Sequence, residues 1–156
     1  YDQWPQPSHT ILSRPFRGLA ARWFIETMTA MQSKGEKLAA MSPAKQHRFR
    51  LKVKKTRYIA EILIPIEVAK PLKKTARHMA SLQDGLGEQN DAFTALELLD
   101  EMARHPIVNH DVDAAEAIAL EQKALHRKCH KPVARITEQW QRIEHSFDDW
   151  LMASRS

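Results

Sequence analysis

The residues best suited to chemistry in this chain lie in one stretch, His47-Arg48-Phe49-Arg50-Leu51-Lys52-Val53-Lys54-Lys55-Thr56-Arg57-Tyr58. Read as a helix at about 100° per residue, it sorts into two faces. His47, Arg50, Lys54, Arg57 and Tyr58 fall in one narrow stripe, while Phe49, Val53, Ala60 and Leu63 fall opposite them. Like charges one turn apart repel by about 0.2–0.5 kcal/mol per pair. An anion lying along the row removes that cost, so anion binding is the chemistry to which these residues point. The plainer reading is a solvated basic face.

Lys73, Lys74 and Arg77 open a second basic stretch, in which Lys73 and Arg77 share a helix face. Sequential helices joined by a short link pack antiparallel, which places Lys73 and Arg77 near the end of the first helix that carries Arg57. The expected result is a basic groove. Arg forks reach two oxygens at once and Lys supplies a mobile point charge, the combination that phosphate recognition needs. Lys128, Lys131 and Arg135 either extend this groove or form the solvated face of the last helix. Tyr58 is either a phenol donor to a phosphate oxygen or a half-buried core aromatic.

The order H-x-x-R-x-x-x-K-[KR]-x-R-Y, filled by His47, Arg50, Lys54, Lys55, Arg57 and Tyr58, resembles the signature helix of CHAD domains. Downstream, Leu82-Gln83, Leu86-Gly87 and Asn90-Asp91 are similar to that family's second motif, L-Q-x-x-L-G-x-x-N-D. The resemblance implies an all-helical fold and a basic surface that binds inorganic polyphosphate without catalysis. The expected setting is cytoplasmic, in association with polyphosphate granules. Domains of this family contain two related helical bundles in tandem, and this chain is long enough for only the second. A second bundle, or a homodimer partner, is therefore expected. Within the motif, Gln83 and Asn90 either hold Arg side chains or are buried polar residues that fix helix register.

Other chemistries find less support. His126, Cys129 and His130 place potential ligands on adjacent turns, but no companion pair of matching spacing exists, so no metal site and no cofactor are expected. His47, beside Arg50 and Lys54, is better read as a phosphate donor that becomes a full cation when the ligand arrives. Asp84, Glu88 and Asp91 with a metal could hydrolyse phosphoanhydrides, the rival enzymatic reading, yet they show ordinary helix-surface spacing. Nucleic-acid binding is a further rival. No helix-turn-helix signature and no aromatic residues interleaved with the basic ones support it. Gly85 and Gly87 do not form a phosphate loop, and Gly87 is read as permitting close helix packing.

The elements that must position these residues follow from composition and periodicity. A chain of 156 residues with four Gly suits one helical domain. Its expected architecture is all-α, an antiparallel bundle of four to five helices, with residues 1–14 an irregular lead-in and 15–152 the domain. Ser13 and Pro15 open a helix whose stripe is Phe16, Leu19, Ala20, Trp23, Phe24, Thr27 and Met31. Gly35 ends or loosens it. Ser42-Pro43 starts the signature helix, which stops before Pro65. A long helix runs from Lys70 to about Ala103, carrying Leu72, Met79, Leu82, Leu86 and Leu96. Asp111 or Asp113 caps the next, and Pro132 either kinks it or opens the last helix, whose stripe is Val133, Ile136, Trp140, Ile143, Phe147 and Trp150. No run approaches the roughly 18 apolar residues of a membrane span. The chain opens at Tyr1, so the missing leader sequence carries no information, and the lone Cys129 excludes an internal disulfide.

The net charge of +5 conceals segregation. Residues 45–83 hold eleven Lys/Arg against Glu61 and Glu67, whereas residues 84–121 hold ten Asp/Glu against Arg104. This pattern means either a polarised molecule able to attract polyanions or an acidic helix paired with a basic one.

Overall fold

The computed structural model describes residues 9–66, 70–129 and 133–154. Among them there are helices and no strands: α1 (His9–Gly35), a 3-10 turn (Leu38–Ala40), α2 (Pro43–Leu63), α3 (Lys70–Ala103), the single turn α4 (Pro106–Asn109), α5 (Val112–Cys129) and α6 (Val133–Ser154). Five of these are full helices, so the all-α expectation holds. No helix among the described residues is long and apolar enough to cross a membrane.

α3 is the spine. At 34 residues it is about 50 Å long, and its two halves carry different partners. The N-terminal half packs against α2 and α6, whose ties to it include Thr75 Oγ1 to Ser146 Oγ at 3.0 Å and Gln139 Nε2 to Ser81 Oγ at 3.2 Å. The C-terminal half packs against α5. Gln89 Nε2 donates to the Cys129 carbonyl at 2.7 Å, and Gln122 Nε2 to Asp100 Oδ1 at 2.6 Å. In each pair residue numbers rise along one helix as they fall along the other, so the packing is antiparallel.

Two cores result. The larger joins α1, α2, the first half of α3 and α6 through Phe24, Met28, Val53, Leu63, Met79, Trp140 and Trp150 among others. Edge-to-face rings lock it: Phe24 with Phe147 at 5.6 Å and with Trp150 at 5.2 Å, and Phe49 with Trp140 at 5.4 Å. Such pairs contribute about 0.5–1.5 kcal/mol beyond the area they bury. The smaller core, Ala92, Leu96, Leu125 and Cys129, holds α5 to the far end of α3. The acidic segment of the sequence occupies this end and the basic segment the other. Separation along α3 favours the polarised reading of the charge pattern.

Several boundaries fall where the sequence puts them. α2 starts at Pro43 with Ser42 extended before it, although the Ser42 side chain makes no cap hydrogen bond. It ends at Leu63, before Pro65. Asp111 Oδ1 accepts from the Ala114 amide at 3.0 Å and caps α5. Pro132 lies outside the described residues.

Two expectations need correction. α1 begins at His9, inside the expected lead-in, and runs through Pro15 at the cost of the hydrogen bond that Pro15 cannot give to the Ile11 carbonyl. Its core stripe is Ala20, Phe24, Met28 and Met31, whereas Phe16, Leu19 and Trp23 are 48%, 62% and 48% exposed. The apolar arc of α1 is wider than the face its neighbours cover, and only one flank of it is buried.

Gly35 closes α1 because of Trp140. A Cβ at Gly35 would overlap the Trp140 indole, which is 1% exposed and has no room to retreat. Gly35→Ala is therefore expected to destabilise the fold by about 1–3 kcal/mol through overpacking, despite a helix-propensity gain of up to about 1 kcal/mol. Urea denaturation measures the sign. A more stable variant would mean that Trp140 repacks freely.

Candidate functional site: a cationic seam between α2 and α3

The buried face of α2 is Gln46, Phe49, Val53, Thr56, Ile59, Ala60 and Leu63. This rotation sets the level of every basic residue. His47, Arg50 and Arg57 stand half-buried on the edge facing α3, and Lys54 and Tyr58 stand exposed beyond them. The expected row therefore borders a seam between two helices instead of crowning an isolated helix.

Arg50 crosses that seam. Its Nε donates to the Gln83 carbonyl of α3 at 2.9 Å. The guanidinium lies over Gly87, where an added Cβ would come within 2.9 Å of Nη2 and 3.1 Å of Nε. The two sequence motifs are thus one structural unit. Arg50 of the first is seated by a main-chain oxygen and a missing side chain of the second. Gly87 makes room for a guanidinium, not for a neighbouring helix backbone. The seat on Gln83 is its carbonyl, and the side-chain Oε1 of Gln83 is buried without a hydrogen-bond partner among the described residues.

The Arg50–Gln83 contact also fixes register. Moving from Arg50 to Arg57 along α2 corresponds to moving from Gln83 to Arg77 along antiparallel α3, with Lys73 one turn further on. Arg77 and Lys73, both exposed, thereby lie on the stretch of α3 that runs beside the Arg57 end of α2. Tyr58 belongs to the row on α2. Its ring lies 5.1 Å from the Arg57 guanidinium and 5.9 Å from Lys54 Nζ, close enough for cation–π attraction that offsets part of the like-charge repulsion. Arg57 is half-buried, with 19% of its side chain exposed and Nε 3.4 Å from Glu61 Oε1. That Nε and His47 Nδ1 are buried without a hydrogen-bond partner among the described residues.

Other expected members stand elsewhere. Lys55 turns toward α1, its Nζ 5.3 Å from the Trp23 ring. Arg135 lines a cleft between α3 and α6 with His78, Ser81, Glu138, Gln139 and Arg142. Arg77 and Lys74 both act on the same cleft: burial, then the charges of Arg142, Arg77 and Lys74, lowers the His78 pKa. The reason is geometric, since residues 73 and 74 are 100° apart on α3 and α6 takes the side next to 74. Lys128 faces Glu88 and Asp91 in a cavity between α3 and α5, and Lys131 lies outside the described residues. The possible metal ligands do not assemble. Among the described residues no group of three His, Cys, Asp or Glu is placed to hold an ion, and burial pushes the Cys129 thiol up. His130 is not described.

The protein-family model for the CHAD domain matches residues 1–100, which include the whole seam and both motifs. The chain belongs to the CHAD family. No curated protein and no solved structure matches it. Within this CHAD chain the matched span covers α1, α2 and nearly all of α3. α6, which supplies the aromatic half of the larger core, lies beyond it.

Gly85 and Gly87, two residues apart, separate packing from positioning in this CHAD seam. Among the described residues a Cβ on Gly85 meets only the Gln139 side chain, Oε1 at an ordinary 3.5 Å and Nε2 at 4.0 Å. Gly85→Ala is expected to stabilise the helix by up to about 1 kcal/mol and leave anion binding unchanged. Gly87→Ala is expected to keep the fold but displace Arg50, weakening anion binding by about three- to tenfold, close to the value of one ordinary hydrogen bond. Thermal melts and titrations of both variants check this. Equal binding would mean that the position of Arg50 is irrelevant.

Proposed function

We propose that the chain is a binding module for inorganic polyphosphate, held along the α2–α3 seam by Arg50, Lys54, Arg57, Lys73 and Arg77. The supporting observation is the seating of Arg50. Among the described residues it is tied across the seam through Nε, which leaves its terminal nitrogens as a preorganised fork, and little side-chain freedom is lost when an anion arrives. Polyphosphate carries roughly one charge per phosphate, and cations spaced by a helical turn meet it unit by unit. His47 adds a donor at one end and Tyr58 a phenol between two cations. Binding without catalysis, serving to anchor the protein on polyphosphate in the cytoplasm, fits this arrangement.

The row from His47 to Arg57 is about 15 Å long. Affinity should rise steeply with polyphosphate length until a chain spans it, then flatten, while orthophosphate stays weak. Calorimetric titration with chains of defined length, and with single-stranded DNA of matched charge, tests both length and ligand class. Equal affinity for the DNA would leave only a general polyanion binder. Equal affinity for orthophosphate would remove the row.

A further inference from the structure

A second group of cations borders the buried face of α2 from the side away from the seam. Lys45, Arg48 and Lys52, at i, i+3 and i+7, meet Lys34 from the last turn of α1. Together with Met41 and Phe49 they line a cavity of about 380 Å³. None of these residues belongs to either family motif. The volume falls within the range of about 300–1,000 Å³ usual for small-molecule sites.

Three observations point to a ligand. The cations come from two helices and converge on one concavity, so they are not a solvated stripe along a single helix. No described carboxylate lines the cavity, and the nearest like charges are uncomfortably close. The Lys34 side chain lowers the Lys52 pKa, by its close approach first and by charge repulsion second. The lining is also more carbon than nitrogen, with Met41 and Phe49 between the cations. This sets it apart from the seam, where ligand-facing groups are charged or phenolic.

We propose that this cavity is a second anion site, independent of the seam, that takes a compact organic phosphate: three or four negative charges on a body with one apolar or aromatic face. The charges neutralise the Lys34, Lys45, Arg48 and Lys52 cluster, and the apolar face lies on Met41 and Phe49. An inorganic chain satisfies the first requirement and not the second.

The test is metal-free calorimetry of the intact chain with adenosine triphosphate and, separately, inorganic tripolyphosphate. Expected is one nucleotide per chain, bound at least about fivefold more tightly than tripolyphosphate, as burial of an aromatic face adds on the order of 1 kcal/mol or more. Lys52→Glu and the milder Arg48→Gln should each weaken nucleotide binding, by about tenfold or more for the reversal. Lys54→Glu, on the seam, should change it by less than about threefold. Circular dichroism confirms that each variant folds. Absence of saturable nucleotide binding, tripolyphosphate binding as tight as the nucleotide, or equal losses from Lys52→Glu and Lys54→Glu would each overturn the proposal.

Discussion

Polyphosphate affinity is expected to fall by roughly one hundred- to five hundred-fold between about 50 and 200 mM salt, on a log–log line with a slope of about −3.5 to −4.5. The slope follows from the seam's membership. Five permanent cations, Arg50, Lys54, Arg57, Lys73 and Arg77, are proposed to border it, and each phosphate neutralised releases about 0.7–0.9 of a counterion by analogy with nucleic acids. Adding Lys55, Lys74 and Arg135, which the sequence alone also suggests, would steepen the line to between about −5.5 and −7. The measured slope therefore separates a seam of five from a diffuse basic surface of eight. A nearly flat line would mean that few ionic contacts form. Titration at four or more salt concentrations gives the answer.

α2 was legible because a single rotation satisfies everything in it. Phe49, Val53, Ala60 and Leu63 demand burial, and the row from His47 to Arg57 has to emerge beside them. α6 was legible for the same reason: Ile136, Trp140, Ile143, Phe147 and Trp150 admit one inward face, and all are buried. The length of α3 followed from uninterrupted spacing between Pro71 and Pro106. Periodicity fixes which residues share a face. It does not fix which neighbour arrives there.

That limit explains the misplacements. Lys55 sits within the signature motif, yet its direction depends on where α1 lies, and α1 presents Trp23 to it. Lys74 and Arg135 needed the side of α3 that α6 occupies. Phe16, Leu19 and Trp23 read as core because a wide apolar arc contains two possible stripes, and burial of one is a tertiary choice. The roles of the glycines were hidden for another reason. Gly35 and Gly87 are shaped by Trp140 and Arg50, residues 105 and 37 positions away in the chain. A sequence shows that a side chain is missing, not what fills its place. The Lys34–Lys52 approach was equally out of view, since it crosses the turn between α1 and α2.

The most direct test of the seam as the polyphosphate site is charge reversal at matched net charge. Lys54→Glu alters an exposed residue whose described contact is the Tyr58 ring, so folding should be unaffected. It removes one cation and places a carboxylate against the bound chain. The expected loss is about 10- to 100-fold in affinity, the worth of a charge-assisted hydrogen bond to a phosphate plus local repulsion. Lys123→Glu makes the same change in net charge on exposed α5, at the acidic end of the molecule. Beyond a Debye length of about 8–10 Å it should cost less than threefold. Titration of both variants with one long polyphosphate at about 0.15 M salt yields the comparison. A large loss at Lys54 with little change at Lys123 is the predicted result; equal losses at the two positions would contradict it, leaving net charge alone as the cause of binding.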